Sequence, residues 1–199
     1  MNLPVLLILF RFLLAPIILY QAYFVGQTSG PIIITMMYAG MISDIMDGII
    51  ARKQNKSTEK LRRWDSQVDM LFWLSIGFAT WFLYPELIKK HAVPIWILLS
   101  MEVFCYLTSL IKFRKETCTH AFLAKIWGIT LLIAFTSLIG YGYAGIPFDL
   151  AIIMGLISQI DRIFISLFLS KWTHDVPSSY HAWLIRKGKS IKRNPLLND

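Results

Sequence analysis

The stretch GPIIITMMYAGMISDIMDGIIAR, residues 30–52, begins as an uncharged apolar run and ends in charge. A helix needs about 20 mostly apolar residues to cross a bilayer. With no water in the hydrocarbon layer, the backbone must satisfy its own hydrogen bonds, which a helix does internally. A barrel strand would alternate apolar and polar residues, and this stretch does not. It reads as a membrane helix over residues 30–50 that carries two carboxylates, Asp44 and Asp47, near one end.

Five similar apolar blocks lie around it, at 3–25, 66–86, 91–112, 121–143 and 147–171. The expected fold is all-α and integral to the membrane, with six transmembrane helices in one bundle over residues 1–171. Residues 172–199 form a basic tail. Composition agrees. Of 199 residues, 56% are hydrophobic and 16% charged, where a soluble domain carries about 25% charged residues. The opening block is expected to be a first transmembrane helix and not a secretory signal, because it lacks a basic start and continues well past Arg11.

The net charge of +8 does not point to nucleic acid, because no nucleic-acid-binding motif accompanies it. It follows the positive-inside pattern and attraction to anionic lipid. The second connection carries Arg52, Lys53, Lys56, Lys60, Arg62 and Arg63; the fourth carries Lys112, Arg114 and Lys115; the tail carries Arg186, Lys187, Lys189, Lys192 and Arg193. The first and fifth connections have no Lys or Arg, and Lys89 and Lys90 in the third weaken the alternation slightly. Both termini are therefore expected in the cytoplasm. In the tail, Tyr180, Trp183, Leu184 and Ile191 fall near one helix face. The tail reads either as a helix on the inner leaflet or as a loosely ordered basic segment. Cys105 and Cys118 have no metal-site spacing, and His91, His120, His174 and His181 are scattered.

Four aspartates carry the chemistry. Asp44 and Asp47 are three apart, on one helix face and roughly 4.5 Å apart along the axis. Asp65 and Asp69, four apart, share a face at the start of the next helix. A short loop joins the two helices, so all four carboxylates can meet at one depth. Each such charge costs a few kcal/mol in a membrane helix, and together they repel. Protonation could relieve this, and so could a divalent cation, for which oxygen-only ligands suit Mg²⁺ or Mn²⁺. Two such ions could neutralise a pyrophosphate and its leaving group. The alternative is a set of polar residues beside a basic loop.

Gly48 and Ala51 allow close approach of a ligand or of another helix. Arg52 can fork onto phosphate or simply mark topology. Arg11 is expected to snorkel to the inner surface. Arg162 and Lys125 could hold a phosphate on an acceptor; the alternatives are an internal ion pair beside Asp161 and an interfacial anchor. Glu102, near the middle of its block, has no evident role.

Asp44, Asp47, Gly48, Ala51, Arg52, Asp65 and Asp69 resemble the CDP-alcohol phosphatidyltransferase signature D-x2-D-G-x2-A-R-x8-G-x3-D-x3-D, matching seven of its eight fixed positions. Leu61 stands where the family has its second glycine, which bears on the nucleotide pocket and not on the carboxylates. The resemblance implies that Asp44, Asp47 and Asp65 are metal ligands. Asp69 would lie near the metals as general base, and Gly48, Ala51 and Arg52 would face CDP. It further implies a homodimer that moves a phosphatidyl-type group from a CDP-linked lipid, CDP-diacylglycerol foremost, to an alcohol with loss of CMP. The site would face the cytoplasm at a bacterial inner membrane. Glycerol-3-phosphate is the first acceptor to expect. Two rivals are a divalent-cation transporter, which predicts carboxylates near mid-membrane and not at the inner edge beside a basic loop, and a silent scaffold, for which Leu61 is the best argument and against which Asp69 stands.

Overall fold

A computed structural model describes residues 3–53, 58–115 and 121–189, with the side chains of Arg52 and Lys53 left out. Lys56, Cys118, His120, Ile191, Lys192 and Arg193 lie outside the described residues.

The chain is helical, and no strand occurs among the described residues. The helices are α1 (Leu3–Tyr20), α2 (Gly30–Lys53), α3 (Glu59–Leu83), α4 (Pro85–Lys90), α5 (Ala92–Phe113), α6 (Phe122–Tyr141), α7 (Ile146–Phe168) and α8 (Ser179–Arg186). A π turn (Gln21–Val25) and a 3-10 turn (Gly26–Ser29) link α1 to α2. Gly26 there has φ 74°, a left-handed value that favours glycine.

Four stretches are long and apolar enough to cross a membrane: Leu3–Ala51, which holds α1 and α2 in one run, and α5, α6 and α7. Their outward faces are apolar, as at Ile111, Val103 and Phe104, which suits lipid contact. The protein is an integral membrane protein. α3 is not among the four because its first half carries Glu59, Lys60, Arg62, Arg63, Asp65 and Asp69. It also starts at Glu59 instead of near residue 66. Thr58 caps it, its Oγ1 accepting the Leu61 N–H at 3.3 Å, and Glu59 complements the helix dipole. At its other end α3 stops at Leu83, and Pro85 opens α4, where proline needs no N–H. Lys89 of α4 is paired with Glu86 at 2.7 Å, so the third connection's positive charge is partly cancelled on the spot.

The chain forms two compact units. The first comprises Met1–His91 with Leu131–Phe148. Its core joins Leu14 and Ile18 of α1, Ile33 and Met37 of α2, Phe72, Ile76 and Ala79 of α3, and Ile139 of α6. Gly40 sets the approach of α2 to α3: a Cβ there would lie 2.2 Å from Phe72 Cζ. Gly40 is one turn from Asp44, and Phe72 one turn from Asp69, so this contact fixes the register of the two acidic faces. Gly40→Ala is expected to overpack the joint and cost about 1–3 kcal/mol. A thermal midpoint in detergent equal to that of the unaltered protein would contradict the expectation.

The second unit comprises Ala92–Thr130 with Asp149–Asp199. Ala121, Ile165, Leu169, Val176 and Ala182 form its apolar cluster, with Phe113 and Ile185 against it. Lys112 Nζ donates to the carbonyls of Ser166 (3.0 Å) and Leu167 (2.7 Å) and so caps the end of α7. The Ser179 N–H donates to Asp161 Oδ1 at 2.9 Å, and the Phe122 N–H to the Pro177 carbonyl at 2.9 Å. The tail's first part is thus packed through Val176, Ala182 and Ile185. Tyr180 and Trp183 face outward, and Lys187 Nζ lies 3.8 Å from the centre of the Trp183 ring.

Candidate active site and metal centre

The aspartates of α2 and α3 meet as two pairs. A helix rises about 1.5 Å per residue. Counted from Lys53, Asp47 lies about 9 Å and Asp44 about 13 Å into α2. Counted from Glu59, Asp65 lies about 9 Å and Asp69 about 15 Å into α3. The inner tier, Asp47 and Asp65, is buried, with 4% and 8% of each side chain exposed. The outer tier, Asp44 and Asp69, is 37% exposed on both sides.

Arg11 of α1 joins all four. Its Nη2 donates to Asp47 at 2.7 Å and to Asp65 at 2.6 Å. Its Nη1 donates to Asp69 at 3.0 Å and to Asp44. The side chain is fully buried. This corrects the expected snorkelling. Charge pairing in a water-poor interior is stronger than at the surface, and four carboxylates lie within reach, so the guanidinium turns inward. Sequence reasoning missed this residue, yet a signal existed. Arg11 lies well inside the apolar block that starts at residue 3, and a charge in such a place generally finds a partner. Ser43 Oγ donates to the Leu7 carbonyl at 3.0 Å, tying α2 to α1 one turn before Arg11.

The donor set fits a divalent metal. Asp44, Asp47 and Asp65 each offer an oxygen, all within 4.8 Å of one another. Asp69 stands outside that group of three and joins it through Arg11. Ligation would be by oxygen alone, which suits Mg²⁺ or Mn²⁺. One guanidinium offsets only one of four formal charges, leaving room for more positive charge.

Gly48 and Ala51 each lie one turn beyond an aspartate on α2; Ala51 is buried and Gly48 half-buried. Arg52 continues the helix, and its side chain is outside what is described. Leu61 is half-buried in the first turn of α3.

Lys125 and Arg162 belong to the second unit. Lys125 sits in the first turn of α6. Arg162 of α7 is paired with Glu102 of α5, and its Cζ lies 5.9 Å from the centre of the Trp127 ring. Gln159 Nε2 donates to Glu102 Oε2 at 3.1 Å and to the Leu98 carbonyl at 3.2 Å. The internal ion pair exists, but its acid is Glu102, while Asp161 turns to α8. Glu102, without a role in the sequence reading, is the counter-ion of Arg162.

No curated protein and no solved structure matches the chain. A family model does: that of CDP-alcohol phosphatidyltransferase matches residues 1–166. That span contains all four aspartates, Arg11 and the motif around them, and the chain therefore belongs to the CDP-alcohol phosphatidyltransferase family and is an enzyme of that class.

Proposed function

We propose that the protein transfers a phosphatidyl group from CDP-diacylglycerol to an alcohol, releasing CMP. In this reading Asp44, Asp47, Asp65 and Asp69 hold two divalent cations, Mg²⁺ or Mn²⁺. The observation that carries it is the convergence of four carboxylates from α2 and α3 within the reach of one guanidinium. An anionic cluster at that density inside a membrane protein needs cations, and a diphosphate donor brings more negative charge to it.

The chain's own residues divide the work. Gly48, Ala51 and Arg52 present the end of α2 to CDP. Asp69, half-exposed, takes the proton from the acceptor hydroxyl as its oxygen attacks the phosphatidyl phosphorus. The bond from that phosphorus to the bridging oxygen breaks, and CMP leaves with the electron pair. Bound divalent cations supply the positive charge that this leaving group needs. On the acceptor side the reading keeps Lys125 and Arg162; an anionic acceptor meeting Arg162 would compete with Glu102.

Six spans, cytoplasmic termini and a site facing the cytoplasm at a bacterial inner membrane belong to the same reading. Its support is that α3 carries no charge from Met70 to Leu83. So do a membrane domain of residues 1–171, a tail of 172–199 and a homodimer. Glycerol-3-phosphate is the acceptor to try first.

The test is CMP release from CDP-diacylglycerol by purified protein with Mg²⁺ or Mn²⁺ and a panel of alcohols. Release is expected with one acceptor and none in EDTA. Binding of CDP-diacylglycerol without CMP release from any acceptor would favour a silent scaffold. Leu61→Gly is expected to change KM for the donor. An unchanged donor KM would separate Leu61 from the nucleotide.

A further inference from the structure

Arg11 enters the cluster from a third helix, α1, while its four partners come from α2 and α3. Its two terminal nitrogens divide them evenly by depth: Nη2 takes the inner pair and Nη1 the outer pair. The carboxylates it contacts are the same four expected to bind metal. Among the described residues Nε is buried with no hydrogen-bond partner, and the hydrogen bonds of the guanidinium run to the four aspartates. The backbone beneath it is fixed, by the Ser43–Leu7 hydrogen bond and by Leu14 and Ile18 in the core. Movement of the charge is left to the side chain.

We propose that Arg11 is a positioning residue: an internal cation that gathers the four aspartates when no divalent metal is bound and competes with the metal for them. The inference rests on the metal reading given under the proposed function. Without a cation, four carboxylates on two adjacent helices would push α2 and α3 apart or take up protons. A guanidinium suits the holding role because its planar fork bonds both tiers at once, whereas an ammonium is a point charge. Asp44, Asp47 and Asp65 are at once partners of Arg11 and the group of carboxylates that could hold a metal. Metal entry therefore requires the guanidinium to give up some of its bonds. The site trades metal affinity for a cluster that stays assembled between metal-binding events.

The test compares the full-length protein with Arg11→Gln and Arg11→Lys, all purified in detergent with Mn²⁺ present. Mn²⁺ affinity is read from the electron paramagnetic resonance of free Mn²⁺, and thermal midpoints are read in Mn²⁺ and in EDTA. Arg11→Gln is expected to bind Mn²⁺ about tenfold tighter or more, since one competing charge is gone. It is also expected to lose more thermal stability in EDTA than in Mn²⁺, with Arg11→Lys between it and the unaltered protein in both measures. If Arg11→Gln does not survive purification, the Arg11→Lys affinity decides alone. Unchanged or weaker Mn²⁺ binding in the variants, beside an unaltered protein that binds it, would overturn the inference and leave the metal reading standing. An unaltered protein that binds no Mn²⁺ would overturn both.

Discussion

Asp69→Asn is expected to cut CMP release by about 10²–10⁴-fold, the usual contribution of a positioned base, while donor binding stays measurable. The substitution is nearly isosteric. Its amide oxygen can still accept from Arg11 Nη1, which reaches Asp69 through Oδ1 at 3.0 Å, so the helices have little reason to move. What disappears is a carboxylate able to take a proton. The effect should therefore fall on kcat and spare KM for the donor. Asp69→Glu, which keeps the base but displaces it by a methylene, should also lose most activity. If Asp69→Asn instead retains activity within about tenfold, the base assignment fails. Asp44, the other half-exposed carboxylate of the cluster, then becomes the candidate.

The largest effect on stability is expected from Glu102→Ala. Arg162 is nearly buried, at 13% side-chain exposure, and its described acid is Glu102. Removing that acid leaves a guanidinium without its counter-ion in a low-dielectric helix contact, and breaking a buried pair costs about 3 kcal/mol or more. Gln159 would keep only its bond to the Leu98 carbonyl. The double change Glu102→Ala with Arg162→Met removes the stranded charge and should recover most of the loss. Thermal or denaturant unfolding in detergent measures both variants. A double variant as unstable as the single one would show that the pair matters through packing and not through charge.

The helices and the carboxylate cluster were legible in the sequence for different reasons. Long apolar blocks leave a chain few options in lipid, and the helices from Gly30 to Lys53 and from Ala92 to Phe113 fall within a few residues of where the blocks place them. The 3.6-residue period put each pair of aspartates on one face without any knowledge of tertiary packing. The start of α3 was hidden because the chain around Thr58 and Glu59 is polar, and hydropathy is silent about a capped polar helix end. The two ion pairs that matter were harder still. Arg11 meets partners 33 to 58 positions away, and Glu102 meets Arg162 across 60. No local pattern links residues so far apart. Only equal depth along neighbouring helices does, and that requires knowing which helices are neighbours. Arg162 and its sequence neighbour Asp161 serve different partners, Glu102 and the Ser179 N–H.

The match to the family stops at residue 166, whereas the hydrogen bonds and apolar contacts that seal the end of α7 come from residues up to Ile185. Anyone trimming this enzyme to its recognisable portion, or grafting a fluorescent reporter onto the end of α7, would strip the cover from Ala121, Ile165 and Leu169 and invite aggregation. A reporter therefore has to leave the packing of the chain through Ile185 intact.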